Sequence, residues 1–257
     1  MLSAGSIMAR RSLFFGLVGV TTLAGTAMML DIFRMAGLTP LELAILPLFA
    51  LTFAWISIAF WNAVIGFVLQ LVDLDPILPA VPAASGDIDS TVSTRTALLM
   101  PIHNEDPARV MGGLAATLRS LVATGKAGHF DTYVLSDTTD ESIAGDEQIA
   151  WEELRAEWAG AISLHYRRRQ PNVGRKAGNI ADFCTRRGAL YDIMVVLDAD
   201  SVMSGPGLVD LVLTMEASPA AGLIQTVPVP VRQTTLFGRV LQFAACLYSP
   251  MLAIGQS

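Results

Sequence analysis

Charge is scarce in this sequence: 16% of its 257 residues are Asp, Glu, Lys or Arg, against about 25% in an average soluble domain. The shortfall is local. Residues 12–30 and 43–72 contain no charged side chain, and each run is close to or longer than the ~20 apolar residues that cross a bilayer. A wholly soluble protein is thereby excluded. The expectation is a transmembrane helix at 12–30 and another at 43–68. Basic residues are the scarcer sign, 17 against 23 acidic for a net charge of −6, which argues against a nucleic-acid partner. The two cysteines, Cys184 and Cys246, form neither a disulfide framework nor a metal or redox spacing, and suit a reducing compartment.

Other absences narrow the chemistry. No Gly-x-Gly-x-x-Gly follows the first predicted strand, so a dinucleotide-binding dehydrogenase is disfavoured. Gly125-Lys126 is followed by Ala127 and lacks the upstream glycine of a phosphate loop. His103, His129 and His165 are spaced unlike metal ligands, and no Ser–His–Asp set is evident.

Arg10-Arg11 before the first apolar run invites a twin-arginine export reading. The second, longer apolar run counts against it, because a cleaved signal does not explain that run. The same arginines outnumber the lone Arg34 of the connecting segment 31–40. The positive-inside rule therefore places residues 1–11 and everything after the second span in the cytosol of a bacterial inner-membrane protein. Pro47, Asn62 and Gln70 do not forbid the second span. Trp55 and Trp61 lie too deep for interface anchors and are expected to face another helix. Residues 73–94, with Pro76, Pro79 and Pro82, read as an irregular tether.

From Arg95 the pattern alternates. Strands are expected at 96–100 (stopped by Pro101), 132–135, 162–166, 193–197 and 222–226. The fourth, Ile-Met-Val-Val-Leu, has the unbroken apolar character of a central parallel strand. Between them a helix starts at Asp106-Pro107, an N-cap followed by proline at the first helical position. Val110, Met111, Leu114, Leu118 and Leu121 continue it at helical spacing to Gly125. Further helices carry Ile149, Leu154 and Trp158, then residues 176–187, then 208–215. This order predicts an open, mostly parallel α/β sheet with helices on both faces over 95–230. Such sheets bind ligands beyond the carboxyl ends of their strands. His103-Asn104-Glu105, Ser136-Asp137, Arg167-Arg168-Arg169 and Asp198-Ala199-Asp200 all fall at that edge.

Asp198 and Asp200, released from a buried strand, can hold Mg²⁺ or Mn²⁺ against a diphosphate, since hard cations take carboxylate and phosphate oxygens. A solvated pair is the plainer alternative. Seven basic residues lie between 167 and 187 with only Asp182 opposing them in that stretch, concentrating positive potential for an anion. Arg186 and Arg187 read as solvated or headgroup-facing. In Lys176-Ala177-Gly178-Asn179 the small residues would let backbone and lysine approach a ligand closely.

Five segments carry a resemblance: Met100-Pro101-Ile102-His103-Asn104-Glu105, Tyr133-Val134-Leu135-Ser136-Asp137, Tyr166-Arg167-Arg168-Arg169, Arg175-Lys176-Ala177-Gly178-Asn179-Ile180, and Val196-Leu197-Asp198-Ala199-Asp200-Ser201-Val202-Met203-Ser204-Gly205. Together they resemble the inverting family-2 glycosyltransferases of the GT-A fold, and among these the bacterial membrane enzymes that build the backbone of osmoregulated periplasmic glucans. The resemblance implies UDP-glucose as donor and a growing glucan as acceptor. It implies that Glu105 and Asp137 contact the uridine, with Lys176 and Asn179 nearby. It puts Asp198 against the ribose or diphosphate and Asp200 on the metal, the two aspartates forming the catalytic pair. Nothing after Gln225 matches the family's acidic general base or its acceptor motif with Arg and Trp. The expectation is a truncated chain, with residues 235–257 an amphipathic segment suited to the membrane interface. Three rivals share parts of this pattern. A donor-binding but inactive module shares every donor-site residue. A nucleotidyltransferase is disfavoured by the twin spans and by Ser136-Asp137. A structural membrane subunit leaves the convergence of the carboxylates and Lys176 unexplained.

Overall fold

The computed structural model describes residues 4–72 and 91–256. Most of the expected tether therefore lies outside the described residues. The helices are α1 (Ala4–Ala36), α2 (Pro40–Leu71), α3 (Pro107–Ala123), α4 (Glu141–Glu157), α5 (Arg175–Arg187), α6 (Gly205–Ala217) and α7 (Leu236–Gln256); the strands are β1 (Thr96–Ile102), β2 (Phe130–Ser136), β3 (Ser163–Arg168) and β4 (Ile193–Val196). They form two compact units, a helical one from both ends of the chain and an α/β one between them.

In the helical unit, α1, α2 and α7 are each long and apolar enough to cross a membrane by length and composition. Both N-terminal helices outrun the expected spans, because hydropathy does not see caps. Thr39 starts α2 with a capping box: its backbone N–H donates to Glu42 Oε2 at 2.7 Å, its hydroxyl accepts from Glu42 N, and Pro40 takes the first helical position. α2 packs along α1, and α7 along α2. Trp61 Nε1 donates to Thr21 Oγ1 at 2.9 Å across the α1–α2 contact, as a tryptophan facing another helix should. Trp55 differs: it is 77% exposed and faces away from the other helices. Segment 235–257 is helical through 256; it lays Tyr248 against the Ala59 carbonyl and leaves Phe237, Val240 and Phe243 exposed.

The α/β unit is a parallel sheet of order β3-β2-β1-β4. Alternation along the strands splits its core in two. Leu98, Met100 and Val134 pack with α3, α4 and α6, while Ala97, Leu99, Tyr133 and Leu135 pack with Phe183 of α5. Helices thus cover both faces. The α3 cap is as expected: Asp106 accepts from Arg109 N at 3.1 Å, with Pro107 next.

Four expectations are corrected. β1 runs through Pro101 to Ile102. Leu197 N donates to Leu99 O and Asp137 N to Ile102 O, so odd residues of β1 point toward β4 and even ones toward β2. Proline's missing N–H therefore faces β4 beyond its last paired residue, and no ladder bond is lost. β4 is an edge strand, not a central one, with Met194 and Val196 about 40% exposed. Residues 222–226 form no strand. On α4, Ile149 is 60% exposed, and the buried face runs through Ala144, Glu147, Leu154 and the C-cap Trp158.

Candidate functional site

The chain passes from β1 to β2 on one side and returns across the sheet to β4 on the other. The order reverses between β1 and β4, and a parallel sheet opens a crevice at such a switch point. The loops after β1, β2 and β3 meet the start of α5 beside it, and the loop after β4 reaches them through the Asp198–Lys176 pair. Pro101, Ile102, His103, Glu105, Asp137, Thr139, Asn172, Gly174, Arg175, Lys176 and Asn179 line a cavity of about 710 Å³.

Glu105, Asp137, Lys176 and Asn179, named from sequence as donor-binding residues, all lie on this one cavity. Asp198 joins them through an ion pair with Lys176 Nζ, both side chains about half exposed or more. Asp200 is exposed two residues further on and is not part of the cavity wall. Their states differ. Glu105 is exposed, with its carboxylate folded back onto His103 N. Asp137 is 4% exposed at its side chain and gripped bidentately by Arg169, Nε to Oδ1 at 2.6 Å and Nη2 to Oδ2 at 2.9 Å. Each carboxylate oxygen still has a second lone pair to offer. That hydrogen bond holds the Arg169 guanidinium more firmly protonated than usual. Asn179 is buried and committed: its Nδ2 donates to Leu135 O at 2.8 Å, and its side-chain oxygen accepts from Arg167.

The triple arginine does not present free positive charge. Arg167 and Arg168 belong to the end of β3 rather than to the loop after it. Arg167 pairs with Asp182, Arg168 with Glu141 (2.8 and 2.9 Å), and Arg169 with Asp137. Glu141 and Asp137 lie far from this stretch in sequence, so counting charges within 167–187 misses them. Gly178 is also required for another reason than ligand approach. A Cβ there would stand 2.1 Å from Val173 O, so the glycine lets α5 nest against its own entry loop. That loop is itself held in sparsely populated backbone, Gly174 at φ 74° and Arg175 at φ 51°.

Two supports were not anticipated. Asn104, at φ 59°, accepts from Thr139 N and Asp140 N through Oδ1 and donates its own N–H to Thr138 Oγ1, strapping the loop after β1 to that after β2. Glu147 is 1% exposed and receives the hydroxyls of Ser136 (2.7 Å), Thr138 and Tyr166 (3.1 Å). Ser136 and Thr138 flank Asp137, so Glu147 fixes its backbone from below. Burial, with the neighbouring carboxylate, pushes the Tyr166 hydroxyl up and keeps it a donor. The sequence signal was the helix face that Glu147 shares with Ala144 and Leu154.

Asp198 and Asp200 are the residues that could hold a divalent cation. Among the described residues no group of three or more His, Cys, Asp or Glu gathers, so a cation there would take its remaining ligands from phosphate and water. That is the usual pattern for Mg²⁺, and the two carboxylates fit it.

No family model matches the chain. Along its whole length it is 43% identical to a glucans biosynthesis glucosyltransferase H of Bradyrhizobium diazoefficiens, of which it covers 34%. It is 44% identical over 88% of its length to that of Vibrio cholerae, covering 30% of it, and 49% identical over 84% of its length to that of Escherichia coli, covering 25%. The chain therefore spans about a third or less of these curated relatives. The kinship expected from the five motifs is borne out.

Proposed function

We propose that this chain, a relative of part of the glucans biosynthesis glucosyltransferase H enzymes, is the donor-binding portion of a membrane glucosyltransferase of family 2 and GT-A fold. The donor is UDP-glucose, and the acceptor of the whole protein is the growing backbone of osmoregulated periplasmic glucans. The observation that carries this reading is the meeting of Glu105, Asp137 and Lys176 on one cavity at the carboxyl edge of the sheet, with Asp198 tied to Lys176.

Each residue has a task in that reading. Asp137, locked by Arg169, accepts the single uracil N3–H with a lone pair the guanidinium leaves. Glu105 turns from His103 N to the same nucleoside. The first turn of α5 supplies the positive end of a helix to the diphosphate, and Lys176 exchanges Asp198 for a phosphate oxygen. Asp198, released, faces the ribose or diphosphate, and Asp200 holds Mg²⁺ or Mn²⁺. The cation's chemistry is Lewis-acid neutralisation of the departing nucleoside diphosphate. Asn179 supports the cavity wall. Inversion also requires a base for the acceptor hydroxyl. Glu216, the nearest downstream carboxylate besides Asp210, instead accepts four hydrogen bonds from Ser93 and Thr94 just before β1, at the opposite end of that strand from the cavity. We therefore assign these residues donor binding, and leave transfer to the whole protein. The enzyme sits in the bacterial inner membrane with this domain cytosolic.

Titration calorimetry of UDP-glucose with the chain in detergent tests the reading. Binding should need Mg²⁺ or Mn²⁺ and fall away in EDTA, and Asp200→Asn should lose the cation dependence. Equal affinity with and without EDTA would remove the metal from the proposal, and no binding of UDP-glucose at all would remove the donor.

A further inference from the structure

A second concavity lies away from the donor cavity, along the free edge of β3. It encloses about 450 Å³ between Trp151 and Arg155 of α4 and Phe183, Arg186 and Arg187 of α5, with His165 and Tyr166 of β3 on its floor. Its lining belongs to both faces of the sheet, so it is a groove along a strand edge. β3 is the terminal strand of the sheet. Arg169 N donates to Ser136 O, so odd residues of β3 turn their backbone toward β2. Leu164, Tyr166 and Arg168 then turn N–H and C=O outward, where no backbone partner meets them among the described residues.

The charge around this edge is one-sided. Arg155, Arg167, Arg186 and Arg187 line it, and the carboxylate among them, Asp182, is shared by Arg167 and Arg186. Arg155 lies over the Trp151 ring at 5.3 Å, and neither it nor Arg187 has a carboxylate partner among the described residues. Asp131 and Glu152 stand at the margins; Asp131 is paired with Arg95, and Glu152 is bonded by Gln148. The Trp151 Nε1–H is buried without an acceptor.

We propose that this edge docks a partner polypeptide that adds an extended, acidic strand outside β3. The outward backbone offers donors and acceptors in alternation, and a peptide backbone answers both, whereas a phosphate supplies acceptors only. Strand addition draws affinity from such main-chain bonds and specificity from the flanking side chains. The flanks here select carboxylates, toward Arg155 on one side and Arg186 and Arg187 on the other. A second copy of this edge is disfavoured as partner, because a two-fold pairing of β3 with β3 would bring the flanking Arg155, Arg186 and Arg187 of one copy beside the same arginines of the other.

The test is fluorescence anisotropy with the full chain in neutral detergent. The probe is a labelled peptide of alternating Glu and Val, about eight residues long to match a strand. It should bind, and its Lys–Val counterpart should not. N-methylation of two adjacent central residues blocks both peptide edges without altering charge, and should weaken binding by about tenfold or more if main-chain bonds carry it. The exposed charge reversals Arg186→Glu and Arg187→Glu, combined, should weaken it by about tenfold or more. Three results would overturn the proposal. Failure of the Glu–Val peptide to bind would mean that the arginines only guard the edge against pairing. Unchanged affinity of the N-methylated peptide would mean charge attraction without strand addition. Displacement by inorganic pyrophosphate as effective as by unlabelled peptide would mean an anion site.

Discussion

Asp137 and Arg169 make the most buried ion pair of the candidate site, their side chains at 4% and 16% exposure. Removing one partner of a buried pair leaves the other charge without compensation, which costs about 3–5 kcal/mol. Arg169→Met should therefore lower the stability of the α/β unit by roughly that amount and weaken UDP-glucose binding with it. Arg169→Lys keeps the charge but loses the fork, and should fall between. Thermal melting followed by donor titration measures both, and an unchanged melting temperature for Arg169→Met would contradict the buried pairing. The sequence named Asp137 from its place after a strand but could not name its partner, 32 residues away among three adjacent arginines. Gly178 makes the same point. Its need for a glycine was legible, whereas the reason, Val173 O at 2.1 Å from any Cβ, exists only once the loop is folded. Gly178→Ala should cost about 1–3 kcal/mol by overpacking and misplace Lys176. A variant that melts and binds donor like the parent would refute this.

The cap of α3 and the helical and strand periods were readable at the level of elements, because the residues that set them are neighbours in sequence. What failed depended on partners. The apolar run of β4 looked central, yet among the described residues it pairs only with β1; Pro101 looked like a strand stop, yet its missing N–H falls just past the last residue of β4 that pairs with β1. Glu216 is another contact across the fold, tying the end of α6 to the residues just before β1. Burial alone would push its carboxyl up, but hydrogen bonds from Thr94 and Ser93 outweigh that and hold it below its ordinary value of 4.5. A depressed folded-state pKa stabilises above the unfolded value, and that contribution is lost as pH falls through the folded value. Glu216→Gln should therefore cost about 1 kcal/mol near neutrality, after allowing for solvent screening. It should also flatten the loss of stability below about pH 4.5. Acid-denaturation curves of the two proteins measure it, and parallel curves at every pH would contradict the assignment.

Two units compose the described chain, and the proposed function asks the apolar helical one to hold the other in the donor's compartment. By the positive-inside rule, the Arg10-Arg11 flank and the short α1–α2 connection predict a cysteine probe at Leu38 outside and one at Ala127 in the cytosol. Membrane-impermeant labelling of intact cells should reach the first and spare the second; the reverse pattern would overturn this topology. Binding a donor and transferring its sugar are separable demands, since transfer draws on interactions that strengthen in the transition state. On the proposed reading the residues described here serve the first. A protein made of them alone should bind UDP-glucose and build no glucan, and glucan synthesis by it in a membrane assay would show that one of its own carboxylates serves as base. The central claim is the position of the donor, and a structure of the chain determined with UDP-glucose and Mg²⁺ tests it most directly. The account predicts the uracil against Asp137, Lys176 moved from Asp198 to the diphosphate, and the cation at Asp200. A donor bound elsewhere, with the Lys176–Asp198 pair intact, would contradict it.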